Sequence, residues 1–227
     1  MAQVTRARYM PPYKATPLSL PFHNERRLSS RQIALFALWA RQGAPQGMIP
    51  QSTKRPATLA DAAPPPPSAP QFDATWQMPA SFSLPAEGRD IYRCFVLPTK
   101  LSSPHWIDAF QFRPGNPQVV HHALFFFDTS GAARKLDAES PEPGYPCFGT
   151  PGFLPTSSLG GWSPGNRLQQ MPAGTAIRAP AGADLVLQLH YRLTGKAEND
   201  QSQLAVRFAA QAPARRLLDI GLSSHQI

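Results

Sequence analysis

Two adjacent histidines, His121 and His122, lie inside the apolar run Gln118 to Asp128, QVVHHALFFFD, and a third, His190, lies in LVLQLHYR at Leu185 to Arg192. An imidazole withdrawn from water needs a hydrogen-bond partner or a metal to offset its lost hydration. Read as strands, both stretches alternate their side chains between two faces. Leu185, Leu187, Leu189 and Tyr191 then point one way, and Val186, Gln188, His190 and Arg192 the other. The same alternation gives His121 to the face of Val119, Ala123 and Phe125, and His122 to the face of Val120, Leu124 and Phe126. Neighbouring rings diverge on a regular strand. Both reach one metal only where the backbone bulges, or where one ring binds through Nδ1 and the other through Nε2.

Three neutral imidazoles suit copper or zinc, and no carboxylate or thiolate near these strands argues for calcium, magnesium or a cysteine-rich zinc site. With one position open for water, the same ligands would serve a zinc hydrolase. Each histidine taken alone also reads as an ordinary hydrogen-bonded strand residue. Of the other histidines, His105 follows a proline and is expected on a loop, His225 lies near a terminus, and His23 has no histidine or cysteine beside it. Trp162 in LGGWSPG, Phe148 and Phe153 read as core or turn packing. No GxSxG, glycine-rich phosphate loop or HExxH occurs, which leaves serine-hydrolase, nucleotide-binding and zincin readings without support.

The elements that must position these residues are short. The chain has 227 residues, 42% of them hydrophobic, with 27 prolines and 15 glycines, a composition that favours short strands and turns over long helices. Strands are expected at Tyr92 to Pro98, Trp106 to Phe112, Val119 to Asp128, Leu185 to Arg192 and Ser202 to Phe208. Turn signals separate them: RPGN at Arg113 to Asn116, PEPG at Pro141 to Gly144, and LTGK at Leu193 to Lys196. This spacing predicts a β-sandwich. One helix is expected at Ser29 to Arg41, where Ser29 and Gln32 have the form of a capping box and Gly43 and Pro45 close the segment. The alanine- and serine-rich tract around Pro64 to Pro67 reads as an extended linker over residues 51–71, dividing residues 1–50 from residues 72–227.

The net charge of +8 resides in residues 1–55, which hold nine basic residues against Glu25 alone; the rest of the chain balances thirteen basic with thirteen acidic residues. A neutral main domain without a helix-turn-helix, zinc-finger or aromatic RNA-binding pattern argues against a nucleic-acid partner. Cys94 and Cys147, the only cysteines, permit one disulfide or two free thiols. No apolar run is long enough to span a bilayer, and residues 1–20 lack the charged-then-apolar order of a signal peptide.

Taken in order, DIYRCFVLP, VVHHALFFFD, LGGWSPG and LVLQLHY resemble the N-terminal domain of the copper type II, ascorbate-dependent monooxygenases, the family of peptidylglycine alpha-hydroxylating and dopamine beta-monooxygenases. The resemblance covers roughly residues 72–210. It implies an antiparallel jelly-roll-type β-sandwich in which His121, His122 and His190 hold one electron-transfer copper, with Gln188 beside it. It also implies an electron donor, a periplasmic or exported location, and a second copper domain where hydroxylation takes place. That second site uses a His-x-His pair and a methionine; this chain has no His-x-His, so no residue here is assigned a catalytic role. The several disulfides of the animal enzymes cannot all form with two cysteines.

Residues 1–50 resemble the C-terminal part of a cytochrome c domain, as in bacterial relatives, through RYMPPYKA at Arg8 to Ala15 and LSSRQIALFALWARQGAPQG at Leu28 to Gly47. That resemblance makes Met10 a haem axial ligand. Cys-x-x-Cys-His is absent, so haem is not expected in this chain. The plainer alternative is a basic tail with one helix. The whole arrangement implies an internal portion of a longer exported protein, and the alternative function is a non-catalytic copper-binding or partner-docking module.

Overall fold

Ser29 starts the longer helix as its sequence pattern requires: its hydroxyl accepts from the Gln32 amide at 3.2 Å, and the Gln32 side chain accepts from the Ser29 amide at 2.8 Å. The computed structural model describes residues 2–10, 27–46 and 71–218. The chain divides into two units, Met1–Pro67 and Ser68–Ile227. In the first, α1 (Ala2–Arg6) and α2 (Ser30–Arg41) pack together, and α2 buries none of its residues fully. Leu35, Leu38 and Trp39 stay exposed, as does Met10 just beyond α1. The expected linker at 51–71 lies outside the described residues except for its last position, as do His23 and His225. Among the described residues no helix is long and apolar enough to cross a membrane.

The second unit is a β-sandwich. Its strands are β1 (Ala74–Gln77), β2 (Phe82–Leu84), β3 (Ile91–Pro98), β4 (His105–Arg113), β5 (Val120–Asp128), β6 (Tyr145–Pro146), β7 (Ser157–Trp162), β8 (Leu168–Gln170), β9 (Thr175–Ala179), β10 (Asp184–Tyr191), β11 (Glu198–Asp200), β12 (Gln203–Phe208) and β13 (Arg215–Arg216), with a short helix α3 (Ala132–Ala138) after β5. One sheet runs β1-β12-β4-β9-β13 with β8 also on β4; the other runs β6-β3-β10-β5-β7; β11 and β2 form a separate pair. All pairings are antiparallel except β9 with β13.

The five strands foreseen from the sequence are β3, β4, β5, β10 and β12. His105 begins β4 and is not on a loop: its amide-bearing segment pairs with Ala179, and its ring packs against Phe208 at 4.4 Å between centroids. Alternation explains the core. Leu185, Leu187 and Leu189 from β10 meet Phe110 and Phe112 from β4 and Leu204 and Val206 from β12, all within 3% of full burial. A second, smaller apolar cluster lies on the other face of the five-stranded sheet, where Val96, Val186 and Phe126 are covered by Ala133 and Leu136 of α3 and by Tyr145 and Phe153.

The segment after α3 is held down by specific contacts. The guanidinium of buried Arg93 donates to the carbonyls of Glu142, Pro143 and Gly144, pinning the PEPG turn against β3. Gly144 adopts φ +72°, and a Cβ there would stand 2.5 Å from the Cys94 carbonyl oxygen, so the turn requires glycine twice over. Cys147 follows and bonds to Cys94 across 53 positions, with a Cα separation of 5.9 Å. The thiol alternative is thereby set aside.

Candidate metal centre

β10 is the middle strand of its sheet, flanked by β3 and β5, and this places His190 opposite Tyr92 on one side and His122 on the other. The β5 register runs regularly from Asp184 opposite Asp128 to His190 opposite His122, then shifts so that Tyr191 faces Val120. His121 is therefore the extra residue of a β-bulge. Regular hydrogen bonding resumes past it, where the Arg192 amide donates to the Val119 carbonyl at 2.8 Å. The bulge corrects the simple alternation. His121 does not share the core face with Ala123 and Phe125; Val119 and Val120 are both buried, and the His121 ring turns outward beside its neighbour. A run with two apolar side chains to bury at its start forces the next residue out of the alternation.

The three rings converge through the same atom. Nδ1 of His121 is 3.0 Å from Nδ1 of His190 and 3.3 Å from Nδ1 of His122, and the third edge, His190 to His122, is 3.1 Å. The rings lie roughly edge-on to one another, with interplanar angles of 61°, 81° and 70°. Exposure is graded: His121 is exposed, His122 is half-buried and His190 is buried. Among the described residues this is the one group of three or more histidine, cysteine or carboxylate side chains able to hold a metal ion. Burial lowers the pKa of His122, and the neighbouring His190 and His121 lower it further, which keeps the ring in the neutral, ligating form.

Nε2 of His190 lies 2.8 Å from Oδ2 of Asp90. An ionised carboxylate only accepts, so Nε2 carries the hydrogen and Nδ1 of His190 turns a lone pair toward the other two rings. One hydrogen shared between two of the Nδ1 atoms serves one edge of the triangle. A cation near its centre would serve all three lone pairs together. Three nitrogens about 2.0–2.1 Å from a common ion at tetrahedral angles stand about 3.3 Å apart, close to the spacing found. Neutral nitrogen donors without thiolate or carboxylate suit copper and zinc, so the donor set is compatible with either of the two metals that the residues suggested.

The surroundings hold the rings in place. Tyr92 stacks on His190 with a centroid distance of 4.1 Å and an interplanar angle of 11°, and Phe148 meets Tyr92 edge-on at 4.7 Å. Phe148 is 76% exposed and is no core residue; it covers Tyr92 from the solvent side, whereas Trp162 is buried as expected. Gln188 shares the His190 face, but its amide donates to the Thr150 carbonyl at 3.1 Å and lies 3.3 Å from the Cys147 sulfur. It ties the segment around the disulfide to β10 two residues from the ligand. Met10 belongs to the other unit. One feature was missed in the sequence: Asp90, 100 positions from its histidine. The bulge is one of the two routes the sequence left open, and the other, Nδ1 on one ring with Nε2 on its neighbour, is not the one found. The only local signal for Asp90 is its place two residues before Tyr92, and it acquires meaning only once β3 and β10 are known to pair.

No model of a known protein family matches this chain, and no curated protein is significantly similar to it.

Proposed function

We propose that residues 72–227 form the copper-binding electron-transfer domain of a copper-dependent, ascorbate-type monooxygenase, with His121, His122 and His190 as the ligands. The observation that carries this reading is the meeting of three Nδ1 atoms within 3.3 Å on two strands 69 and 68 positions apart in sequence. Its further support is the motif order along the chain and a sandwich that brings those motifs to one place. A bound copper ion would supply one-electron chemistry by alternating between Cu(I) and Cu(II).

The residues of the chain do the rest. β5 and β10 hold the rings, burial keeps His122 neutral, and Tyr92 fixes the plane of His190. His121, the exposed member, leaves one side of the site open to an electron donor. Hydroxylation of a C–H bond belongs in this reading to a second copper domain, a partner of this one. The Cys94–Cys147 bond favours an oxidising compartment, in line with a periplasmic or exported protein.

The test is metal analysis and electron paramagnetic resonance on the full chain loaded with copper. The expected result is about one copper per chain with a nitrogen-rich Cu(II) signal, lost in His190→Ala. Retention of zinc with rejection of copper would replace this reading by a zinc site. Unchanged metal content in His190→Ala would reduce His190 to an ordinary strand residue.

A further inference from the structure

The stacking of His190 on Tyr92 leaves one degree of freedom open. A half-turn about χ2 keeps the ring in the same plane and preserves the stack, but exchanges Nδ1 with a carbon, so that a C–H would face the other two histidines. The sequence and the stack do not distinguish the two orientations. Asp90 does: its carboxylate sits 2.8 Å from Nε2 of a ring that is buried to 6% exposure, while Asp90 itself keeps about half of its side chain in solvent. In the flipped orientation that carboxylate would face a C–H, and the Nε2 hydrogen would lose its partner.

We propose that Asp90 is a positioning residue for the metal site: it fixes His190 as an Nδ1 ligand and, as an anion on the far side of the ring, strengthens that ring as a donor to the more highly charged metal state. The inference rests on the copper reading above and adds to it a determinant of affinity and of redox bias. Carboxylate–histidine–metal arrangements act in this way generally, through ring orientation and donor basicity. Because Asp90 immediately precedes β3, keeps about half of its side chain in solvent and reaches His190 by one hydrogen bond, the sheet does not depend on it for packing.

Two variants of the full chain separate orientation from charge. Asp90→Ala removes both, and Asp90→Asn keeps an oxygen able to accept from Nε2 while removing the charge. Copper affinities are measured for both oxidation states by competition with chelators, together with the midpoint potential. In Asp90→Ala the Cu(II) affinity should fall about 10- to 100-fold. The Cu(I) affinity should fall less, and each tenfold difference between the two raises the potential by about 59 mV. Asp90→Asn should fall between Asp90→Ala and the parent, and the urea midpoints of both variants should match the parent. Nitrogen NMR of the metal-free protein gives an independent readout: His190 should carry its hydrogen on Nε2 in the parent.

If the parent binds one copper through nitrogen ligands while both variants keep Cu(II) and Cu(I) affinities within about twofold, the positioning role is overturned and the copper reading stands. A metal-free parent with the His190 hydrogen on Nδ1 overturns the inference without any metal measurement. A parent that binds no copper overturns both.

Discussion

The two faces of β10 are both buried, yet they are built in opposite ways. All eight residues from Asp184 to Tyr191 are buried. On the inner face Leu185, Leu187 and Leu189 need nothing but close packing, and Tyr191 alone carries a polar atom, satisfied by Asp200 at 2.9 Å. On the outer face Asp184, Gln188 and His190 each have a directional partner: Arg134 at 2.8 Å, the Thr150 carbonyl and Asp90. The inner face therefore supplies stability, which scales with apolar area removed from water. The outer face supplies position. A strand whose register is locked by its inner face can hold polar groups on the other within a few tenths of an ångström.

Substitutions should separate these roles. Leu187→Ala on the inner face should lower stability by about 2–5 kcal/mol, measured by urea unfolding, with copper stoichiometry unchanged in the protein that stays folded. Replacing both cysteines by serine should cost about 2–4 kcal/mol, since the bond closes a loop of 53 positions, again without loss of stoichiometry because the ligands sit on β5 and β10. His190→Ala should show the reverse pattern: metal binding is lost, while metal-free stability falls by only about 1–2 kcal/mol. A loss of 4 kcal/mol or more there would mean that the outer face also supports the fold.

The smallest effect concerns the helix that covers the outer face. Asp128 accepts from the Ser130 hydroxyl and amide and from the Ala133 amide at the start of α3. Burial pushes its carboxyl up, but these hydrogen bonds outweigh burial and hold it below the ordinary value. Its contribution is therefore present above about pH 4, where the unfolded carboxyl is also ionised, and is lost as pH falls through the depressed folded value. Asp128→Asn should cost about 0.5–1 kcal/mol at pH 7. That difference from the parent should shrink in unfolding curves taken progressively below pH 4; a gap that widens in acid would assign Asp128 the opposite sign.

Five strands, the capping box of α2 and the candidate ligands were legible in the sequence because each is a local signal. Alternation in LVLQLHYR put Leu185, Leu187 and Leu189 on one face and Gln188 and His190 on the other, as found. The short strands β8, β11 and β13 carry two or three residues each, too few for a period to show. His105 was misplaced because a preceding proline marks a break in the chain but does not say which residue resumes pairing. Of the two readings open for Phe148, core or turn packing, the structure shows the second, and the choice could not be made until the surface it covers, here Tyr92, was known.

The residue types at the site and their order along the chain were determined by the sequence alone, as were a β-rich fold and the possibility of a single disulfide. Whether His121 and His122 could face one point was decided only by tertiary structure. A bulge changes the direction of every ring after it, and the bulge arises because β10 sets the register from Asp184 to His190 while Val119 and Val120 both find room in the core. The partners that orient the rings were decided in the same way. Asp90 and Tyr92 meet His190 only through the pairing of β3 with β10, and Cys147 meets Cys94 only once the Gly144 turn is seated on β3. Such contacts span 53 to 100 positions, and no local propensity encodes a distance of that length; it is set by which apolar faces must be buried together.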